Sequence, residues 1–230
     1  MRGREALNVT PAPEFSHQDE TTAALIANAR EGNLAGERFS GSVGPMSNWY
    51  EGITTELKQF IASQKVFFVA TAPSKGRINL SPKGMDTFRV ISAKRVIYLD
   101  ITGSGNETAA HLLDNGRITV MFCSFDRTAR IARLYGYGRA IHQPDANWHQ
   151  YLAMFPLQPG VRQIMEIDVE SAMTSCGYGV PSMENLSERD TLRKYWEKRD
   201  VQTLIAYQRQ ENERSIDGLP TGLFSKAAEK

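Results

Sequence analysis

The chain has 230 residues, of which 41% are hydrophobic and 23% charged, and its formal net charge is +1 at pH 7. This is ordinary for a globular protein of one large or two small domains, and so balanced a charge gives no support to a nucleic-acid or membrane partner. No apolar run approaches the ~20 residues of a membrane span, and no secretory signal stands out. Cys123 and Cys176 lie in no metal-binding or CxxC pattern, so we expect two reduced, buried thiols in a cytoplasmic protein.

Residues 1–45 differ in composition from the rest of the chain. They are rich in Gly, Ala, Ser, Glu and Pro, and only TTAALIANAR at 21–30 has a helical pattern. The segment ends in SGSVGP directly before Met46, which could serve as a natural start. We interpret 1–45 as a flexible leader or an added extension, and a true N-terminal arm is the alternative.

Helical and strand patterns then follow in a defined order. Residues 47–63 predict an amphipathic helix whose stripe is formed by Trp49, Ile53, Leu57, Phe60 and Ile61. Runs rich in β-branched and aromatic residues predict strands at 66–72, 77–80, 87–92, 95–101, 118–125, 129–142 and 162–175. Further helices are predicted at 107–114, 144–155 and 186–199, with one more ending at about 212.

Signals at the element ends support this order. Asn115-Gly116 should stop the helix at 107–114, and Ser187 with Asp190 forms a capping-box pattern for the helix at 186–199. The strands follow one another without the long crossovers that a parallel sheet requires. The pattern therefore predicts a mainly β fold, an antiparallel barrel over 46–180 with peripheral helices, followed by a C-terminal helical extension over 181–230.

Polar residues and glycines collect at two predicted strand ends between Arg77 and Thr108. LSPKG breaks the apolar alternation after Leu80, and TGSGNET follows the strand at 95–101 and opens the next helix. Backbone N–H groups at a helix start and a nearby lysine both favour an anion such as a phosphate. Two hairpin ends with solvated turns are the alternative interpretation.

Several familiar sites are excluded. TGSGNET lacks the GxGxxG spacing and the βαβ context of a dinucleotide site, no GKS or GKT occurs, and Ser81 precedes a proline rather than forming a nucleophile elbow. The histidines show no ligand spacing, so no metal site is predicted; they are His17, His111, His142 and His149. No side-chain acid–base pair is evident, and the catalytic residues stay unassigned.

In their order and spacing, these motifs resemble the pyridoxamine 5′-phosphate oxidase-like flavoproteins, the FMN-binding split barrels. The resemblance covers most of the chain after Met46 and rests on RINLSPKG, YLDITGSGNETAAHL and RLYGYGRA. The motif TSCGYGVP resembles an uncharacterised bacterial and fungal branch. The resemblance implies an antiparallel split β-barrel that binds FMN, a homodimer whose chains share the cofactor site, and an oxidoreductase acting on a small organic substrate or a reduced nicotinamide.

The resemblance also implies site residues. The polar edge of the flavin and its phosphate would meet Arg77, Asn79, Ser81, Pro82 and Lys83. The phosphate would be bound by Thr102, Gly103, Gly105, Asn106 and Thr108. The family often has Arg-Lys where this chain has Glu107-Thr108, so the implied anion site is less basic, and Arg130 or Arg133 would compensate unless they form a solvated strand face.

Alternative functions remain open. Pyridoxamine phosphate oxidases resemble one another in a C-terminal Arg-rich segment that this chain lacks, so oxidation of vitamin B6 is not expected. A non-catalytic split barrel could hold flavin, or haem with His111, His142 or His149 as axial ligand, for storage, sensing or partner contact. A barrel whose cofactor site has decayed would be an interaction module.

Cys176 is either a redox thiol or a small residue in a tight turn.

Removal of residues 1–45 should leave the melting temperature and the cofactor content unchanged, because their composition argues against a packed core. Calorimetry and flavin quantification on residues 46–230 and on the full chain measure both quantities. A clear loss of either would show that this segment is structural.

Overall fold

The computed structural model describes residues 47–225. The leader predicted at 1–45 lies outside the described residues. Eight strands and five helices occur within 47–225. The strands are β1 Ser47–Tyr50, β2 Phe67–Thr71, β3 Asn79–Lys83, β4 Phe88–Ser92, β5 Arg95–Ile101, β6 Arg117–Cys123, β7 Arg130–Ile141 and β8 Val161–Cys176. The helices are α1 Thr55–Ser63, α2 Glu107–Asn115, α3 Trp148–Leu152, α4 Thr191–Glu197 and α5 Val201–Glu211.

All the strands belong to one antiparallel sheet. Its order is β3-β2-β6-β7-β8-β5-β4, and β1 pairs with β8. The edge strands β3 and β4 follow each other in the chain but do not pair within the described residues. Aromatic rings bridge this gap, because Phe88 of β4 lies 5.0 Å from both Phe67 and Phe122 between ring centroids. The predicted mainly β, antiparallel split-barrel fold is confirmed.

The predicted helix at 47–63 is in fact two elements. Ser47–Tyr50 pairs with Ala172–Ser175 of β8, and Trp49 is 63% exposed instead of buried. The helix begins at Thr55, because the Thr54 hydroxyl accepts a hydrogen bond from the Leu57 N–H at 3.1 Å and caps its first turn. The periodic stripe therefore predicted the buried side of α1 correctly but extended it into a strand.

Strand β3 runs through the segment that was predicted to break it. It spans Asn79–Lys83, and Pro82 lies opposite Phe68 of β2. A proline is tolerated there because β3 is an edge strand, so no neighbour on its free side loses a hydrogen bond. Lys83 is therefore held in regular β structure rather than in a turn.

Two of the other helices are shorter than predicted. The pattern at 144–155 is helical only over Trp148–Leu152, and that at 186–199 only over Thr191–Glu197, with Asp190 as the N-cap. Ser187 precedes the helix, so the predicted capping box does not form. Helix α2 ends as predicted, with Gly116 in the left-handed conformation at φ 75°.

Gly160, which precedes β8, is one of the points where helix α4 contacts the barrel. Its φ is +78°, and an added Cβ would lie 2.5 Å from Cδ1 of Trp196 in α4. Trp196 is buried and donates a hydrogen bond from Nε1 to the Thr102 carbonyl at 2.9 Å. The left-handed backbone and the indole ring together require glycine at this position.

Gly160→Ala should lower the free energy of unfolding by at least about 2 kcal/mol, because it combines an unfavourable φ with overpacking against Trp196. Gly179→Ala is the matched control, since an added Cβ there has no neighbour within 4 Å. Urea unfolding followed by circular dichroism measures both variants, and equal stabilities would contradict the described packing.

Candidate functional site

A cavity of about 790 Å³ lies where the end of β3, the loop after β5 and the C-terminal helices meet. The barrel side contributes Pro82, Lys83, Thr102, Gly103 and Ser104. The C-terminal side contributes aromatic rings from Tyr195, Trp196 and Tyr207. The two strand ends that were singled out in the sequence therefore meet at one cavity.

The register of β3 explains why Lys83 reaches this cavity. Asn79, Ser81 and Lys83 pair with Thr71, Val69 and Phe67 of β2, whose side chains are all buried. Because paired residues of neighbouring strands point to the same face, the polar residues of β3 also point inward. Leu80 points the other way and is 66% exposed.

Asp100, at the end of β5, is the centre of a buried charged cluster. Its carboxylate is 2% exposed and accepts from Lys83 Nζ at 3.0 Å, Arg162 Nε at 2.7 Å and Gln163 Nε2 at 2.8 Å. The Arg162 side chain is 4% exposed and that of Lys83 is 23% exposed. Lys83 thus connects a buried carboxylate to the cavity.

The protonation of this cluster follows from its contacts. Burial by itself raises the pKa of the Asp100 carboxyl, but the nearby charges of Arg162 and Lys83 outweigh it and hold the pKa well below its usual range. Asp100 is therefore an anion at neutral pH. Two cations and one carboxylate give the cluster a net charge of +1.

The loop from Thr102 to Asn106 is fixed by the C-terminal part of the chain. The Thr102 hydroxyl accepts from Gln208 at 2.8 Å, and the Gly103 carbonyl accepts from Asn212 Nδ2 at 2.9 Å. Within residues 47–225, the N–H groups of Gly103 and Ser104 donate no hydrogen bond. A Cβ at Gly103 would have no neighbour within 4 Å, so the space beside this backbone is open.

The start of α2 is less open to an anion. The Glu107 carboxylate lies against Gly105, where an added Cβ would be 2.3 Å from its Oε2. The same side chain accepts from the Ile216 N–H at 3.2 Å. A carboxylate already complements the helix dipole at this end. The donors available to a ligand anion are therefore those of Gly103 and Ser104.

Other predicted residues do not line the cavity, and most of them form internal hydrogen bonds instead. Asn79 donates to Thr71 and Thr108 at 3.1 Å each, and Thr71 also bonds His111 at 2.9 Å. Asn106 donates to the Asn212 carbonyl at 3.1 Å. Ser81 Oγ is buried without a hydrogen-bond partner in the described chain.

The predicted arginines lie away from the cavity. Arg77 is ion-paired with Asp217, and its backbone N–H donates to the same carboxylate at 2.6 Å. On β7, Arg130 pairs with Glu56 at 2.7 Å, and Arg133 donates to Ser175 at 3.3 Å. Neither arginine of β7 lines the cavity, so the structure gives no sign of the predicted compensation by them.

Sequence reasoning missed two parts of the site. Arg162 and Gln163 reach Asp100 together, although consecutive strand residues normally point to opposite faces. A β-bulge permits this, because Asp100 pairs with Gln163 but Ile101 pairs with Val161. The aromatic wall of the C-terminal helices was also missed. The acidic Asp100 inside the apolar run VIYLDI was the signal that could have indicated a buried partner.

Two negative findings apply to residues 47–225. No group of three or more His, Cys, Asp or Glu side chains is placed to bind a metal ion. None of the helices found there is long and apolar enough to cross a membrane.

Comparison with known proteins decides the family. The sequence model described as pyridoxamine 5′-phosphate oxidase matches residues 53–176, more than half of the chain. The chain belongs to the pyridoxamine 5′-phosphate oxidase family. The match spans the barrel from just before α1 to the end of β8, and so includes both strand ends at the cavity.

Other members of this family and similar folds are known. The pyridoxamine 5′-phosphate oxidase family protein ustO of Aspergillus flavus is 39% identical over 203 residues, which are 80% of this chain and 81% of that protein. HupZ of Group A Streptococcus is 28% identical, with a TM-score of 0.42 over 51% of this chain and 90% of that one. HutZ, the haem storage protein of Vibrio cholerae, is 18% identical, with a TM-score of 0.41 over 55% of this chain and 96% of that one.

In this pyridoxamine 5′-phosphate oxidase family protein, Asp100 should dominate the acid dependence of stability. Its pKa is lowered on folding, so its contribution is present above its unfolded pKa of about 3.9 and is lost as pH falls through the lower folded value. Asp100→Asn should cost roughly 3 kcal/mol at pH 7, because it leaves buried Arg162 uncompensated. The difference in free energy of unfolding between the variant and the wild type should become smaller below about pH 4.

Urea unfolding at a series of pH values measures this difference. Asp168→Asn is the control, because Asp168 also pairs with an arginine but its side chain is 69% exposed. Its free energy of unfolding should therefore differ little from that of wild type at every pH. A gap for Asp100→Asn that stays constant from pH 7 to pH 2 would contradict the ionised, buried Asp100.

Proposed function

We propose that the protein is an FMN-dependent oxidoreductase whose cofactor occupies the cavity between the barrel and the C-terminal helices. The observation that carries this proposal is that Lys83, Gly103 and Ser104 line the same cavity, and that the N–H groups of Gly103 and Ser104 donate no hydrogen bond within residues 47–225. An ammonium group and backbone N–H donors are the partners that a phosphate ester requires. FMN places such a phosphate on the same molecule as a planar ring.

The rest of the cavity suits the ring. Tyr195, Trp196 and Tyr207 line it, and Trp196 packs edge-on against both tyrosines at centroid distances of 4.9 and 5.3 Å. Aromatic walls with few polar groups favour a planar, mostly apolar ligand. The volume of about 790 Å³ lies within the roughly 300–1,000 Å³ range of small-molecule sites.

The charge of the lining also favours an anion. Three cations face the cavity, Lys65, Lys83 and Arg189, against one carboxylate, Glu188. The difference is +2, although the whole chain has a net charge of only +1. An anionic cofactor or substrate is therefore attracted to this part of the surface.

Bound FMN would supply the redox chemistry by accepting a hydride from a reduced nicotinamide or a small organic donor. The chain would bind and orient the cofactor. Lys83 would hold the phosphate, with its own direction fixed by Asp100, and the aromatic wall would keep water from the ring. No side-chain acid–base pair is required for such a reaction.

We also propose a homodimer that shares the site. Strand β3 is an edge of the sheet, and its outward side chain Leu80 and the preceding Ile78 are 66% and 78% exposed. An edge strand with apolar outward residues is a surface that folded proteins usually cover. It adjoins Pro82 and Lys83 of the cavity, so a second chain placed there would lie beside the cofactor.

The haem alternative finds less support. None of the described histidines, His111, His142 and His149, lines the cavity. His111 bonds Thr71 at 2.9 Å, and His142 bonds Gln163 at 3.3 Å. A haem in this cavity would have to use another axial ligand, such as Met85 or a tyrosine.

The visible spectrum of the freshly purified protein, with mass spectrometry of any released cofactor, tests the proposal. We expect a yellow protein that releases FMN. A Soret band would favour haem. A colourless protein that does not bind added FMN would overturn the proposal.

Lys83→Ala should lower the affinity for FMN about tenfold or more, because the phosphate loses its ammonium partner. It should change the affinity for riboflavin much less. Lys75→Ala is the control, since Lys75 is exposed in the β2–β3 turn and does not line the cavity. Flavin fluorescence titrations measure both ligands. Equal losses for FMN and riboflavin would mean that Lys83 contacts the ring instead of the phosphate.

A further inference from the structure

We propose that Arg162, which does not line the cavity, is the positioning residue that makes this site cationic. It would neutralise Asp100 and so leave the charge of Lys83 available for a phosphate ester. The inference rests on the proposed function only in taking the phosphate of FMN as that ester. Its tests with inorganic phosphate do not depend on a flavin.

The geometry shows that Arg162 is directed at Asp100. The bulge in β8 makes Arg162 the extra residue between Val161 and Gln163, and its Nε lies 2.7 Å from Asp100 Oδ2. Its side chain is 4% exposed, and Nη1 has no hydrogen-bond partner within residues 47–225. Asp100 is its one acidic partner in the described chain. The charge of Arg162 therefore acts on Asp100.

The charge balance shows why this matters. Lys83 Nζ lies 3.0 Å from Asp100 Oδ1, and these two groups alone would form a neutral pair. A phosphate approaching Lys83 would then be repelled by the carboxylate directly behind it. With Arg162 present the cluster has a charge of +1, and Lys83 is its member that faces the cavity. The local attraction for an anion thus depends on a side chain that never contacts it.

A purely structural role would not require this arrangement. Asp100 and Arg162 already form a close ion pair, and Gln163 adds a further donor at 2.8 Å. Buried ion clusters are often no more stable than apolar side chains of the same volume. The additional partner is a lysine at the cavity wall, which indicates that the cluster acts on what enters the cavity.

Four variants test the charge balance. Arg162→Gln keeps a hydrogen-bonding side chain but removes the charge, Arg162→Lys keeps the charge, Asp100→Asn removes the anion, and the Asp100→Asn/Arg162→Gln double variant removes both. The apparent Kd of inorganic phosphate is obtained from the rise in melting temperature with phosphate, compared with chloride at equal ionic strength. FMN and riboflavin are titrated in parallel.

Arg162→Gln should weaken the binding of phosphate and of FMN at least about tenfold, and that of riboflavin less than about twofold. One charge at roughly 10 Å and an effective dielectric constant of about 20 changes the affinity for a singly charged anion by about tenfold, and that for a doubly charged phosphate by more. Arg162→Lys should keep most of the wild-type affinity. The double variant, with the charge of Lys83 alone, should return to within about threefold of wild type. Asp100→Asn should bind phosphate at least as tightly as wild type.

Arg139→Gln is the matched control, because Arg139 also pairs with a buried carboxylate, Glu166 at 2.7 Å, but does not line the cavity or contact Asp100. It should leave phosphate affinity unchanged.

Equal losses of affinity for FMN and riboflavin in Arg162→Gln would overturn the inference, as would a double variant that binds phosphate no more tightly than Arg162→Gln. If Arg162→Gln does not fold, weaker phosphate binding by Asp100→Asn overturns it. Phosphate binding without any flavin binding would instead contradict the proposed function.

Discussion

The burial of the Asp100 carboxylate is the constraint on which this site depends. A charge that is 2% exposed is tolerated only with close partners, and here three side chains from two parts of the chain supply them: Lys83 at the end of β3, and Arg162 and Gln163 at the start of β8. These contacts tie the free edge of the split barrel to its centre. They also place one ammonium group at the cavity wall, so the same interaction that orders the barrel end sets the charge of the site.

The C-terminal helices hold the loop after β5 in place beside the cavity. Trp196, Gln208 and Asn212 bond Thr102 and Gly103, so the loop after β5 is held from the side opposite the sheet. These contacts use the carbonyl and hydroxyl groups of the loop, and the N–H groups of Gly103 and Ser104 donate no hydrogen bond within residues 47–225. A rigid loop with free donors binds an anion with little further loss of entropy. The described C-terminal helices, α4 and α5, therefore contribute both to the wall of the cavity and to the position of this loop.

Much of the fold could be predicted from the sequence because its signals are local. Runs rich in β-branched and aromatic residues predicted β2 and β5 to β8, and Asn115-Gly116 predicted the end of α2. The meeting of Lys83 with the loop at Gly103 could also be predicted, from two polar strand ends. The features that could not be predicted depend on which distant segments pair with each other. Ser47–Tyr50 is a strand only because β8 lies beside it. Arg162 points toward Asp100 only because of a β-bulge, and the alternation of apolar residues along the strand does not reveal a bulge. The aromatic wall requires knowing how α4 packs on Gly160.

A crystal structure of the protein in complex with FMN would show directly whether the cofactor occupies the cavity beside Lys83. We expect the phosphate within about 3 Å of Lys83 Nζ and of the N–H groups of Gly103 or Ser104, as charge-assisted hydrogen bonds require. We also expect the isoalloxazine ring to lie toward Tyr195 and Trp196, with the Lys83–Asp100–Arg162 contacts retained. A phosphate bound at Arg130 or Arg133 on β7, or a cavity that stays empty while FMN binds elsewhere, would contradict the proposed site.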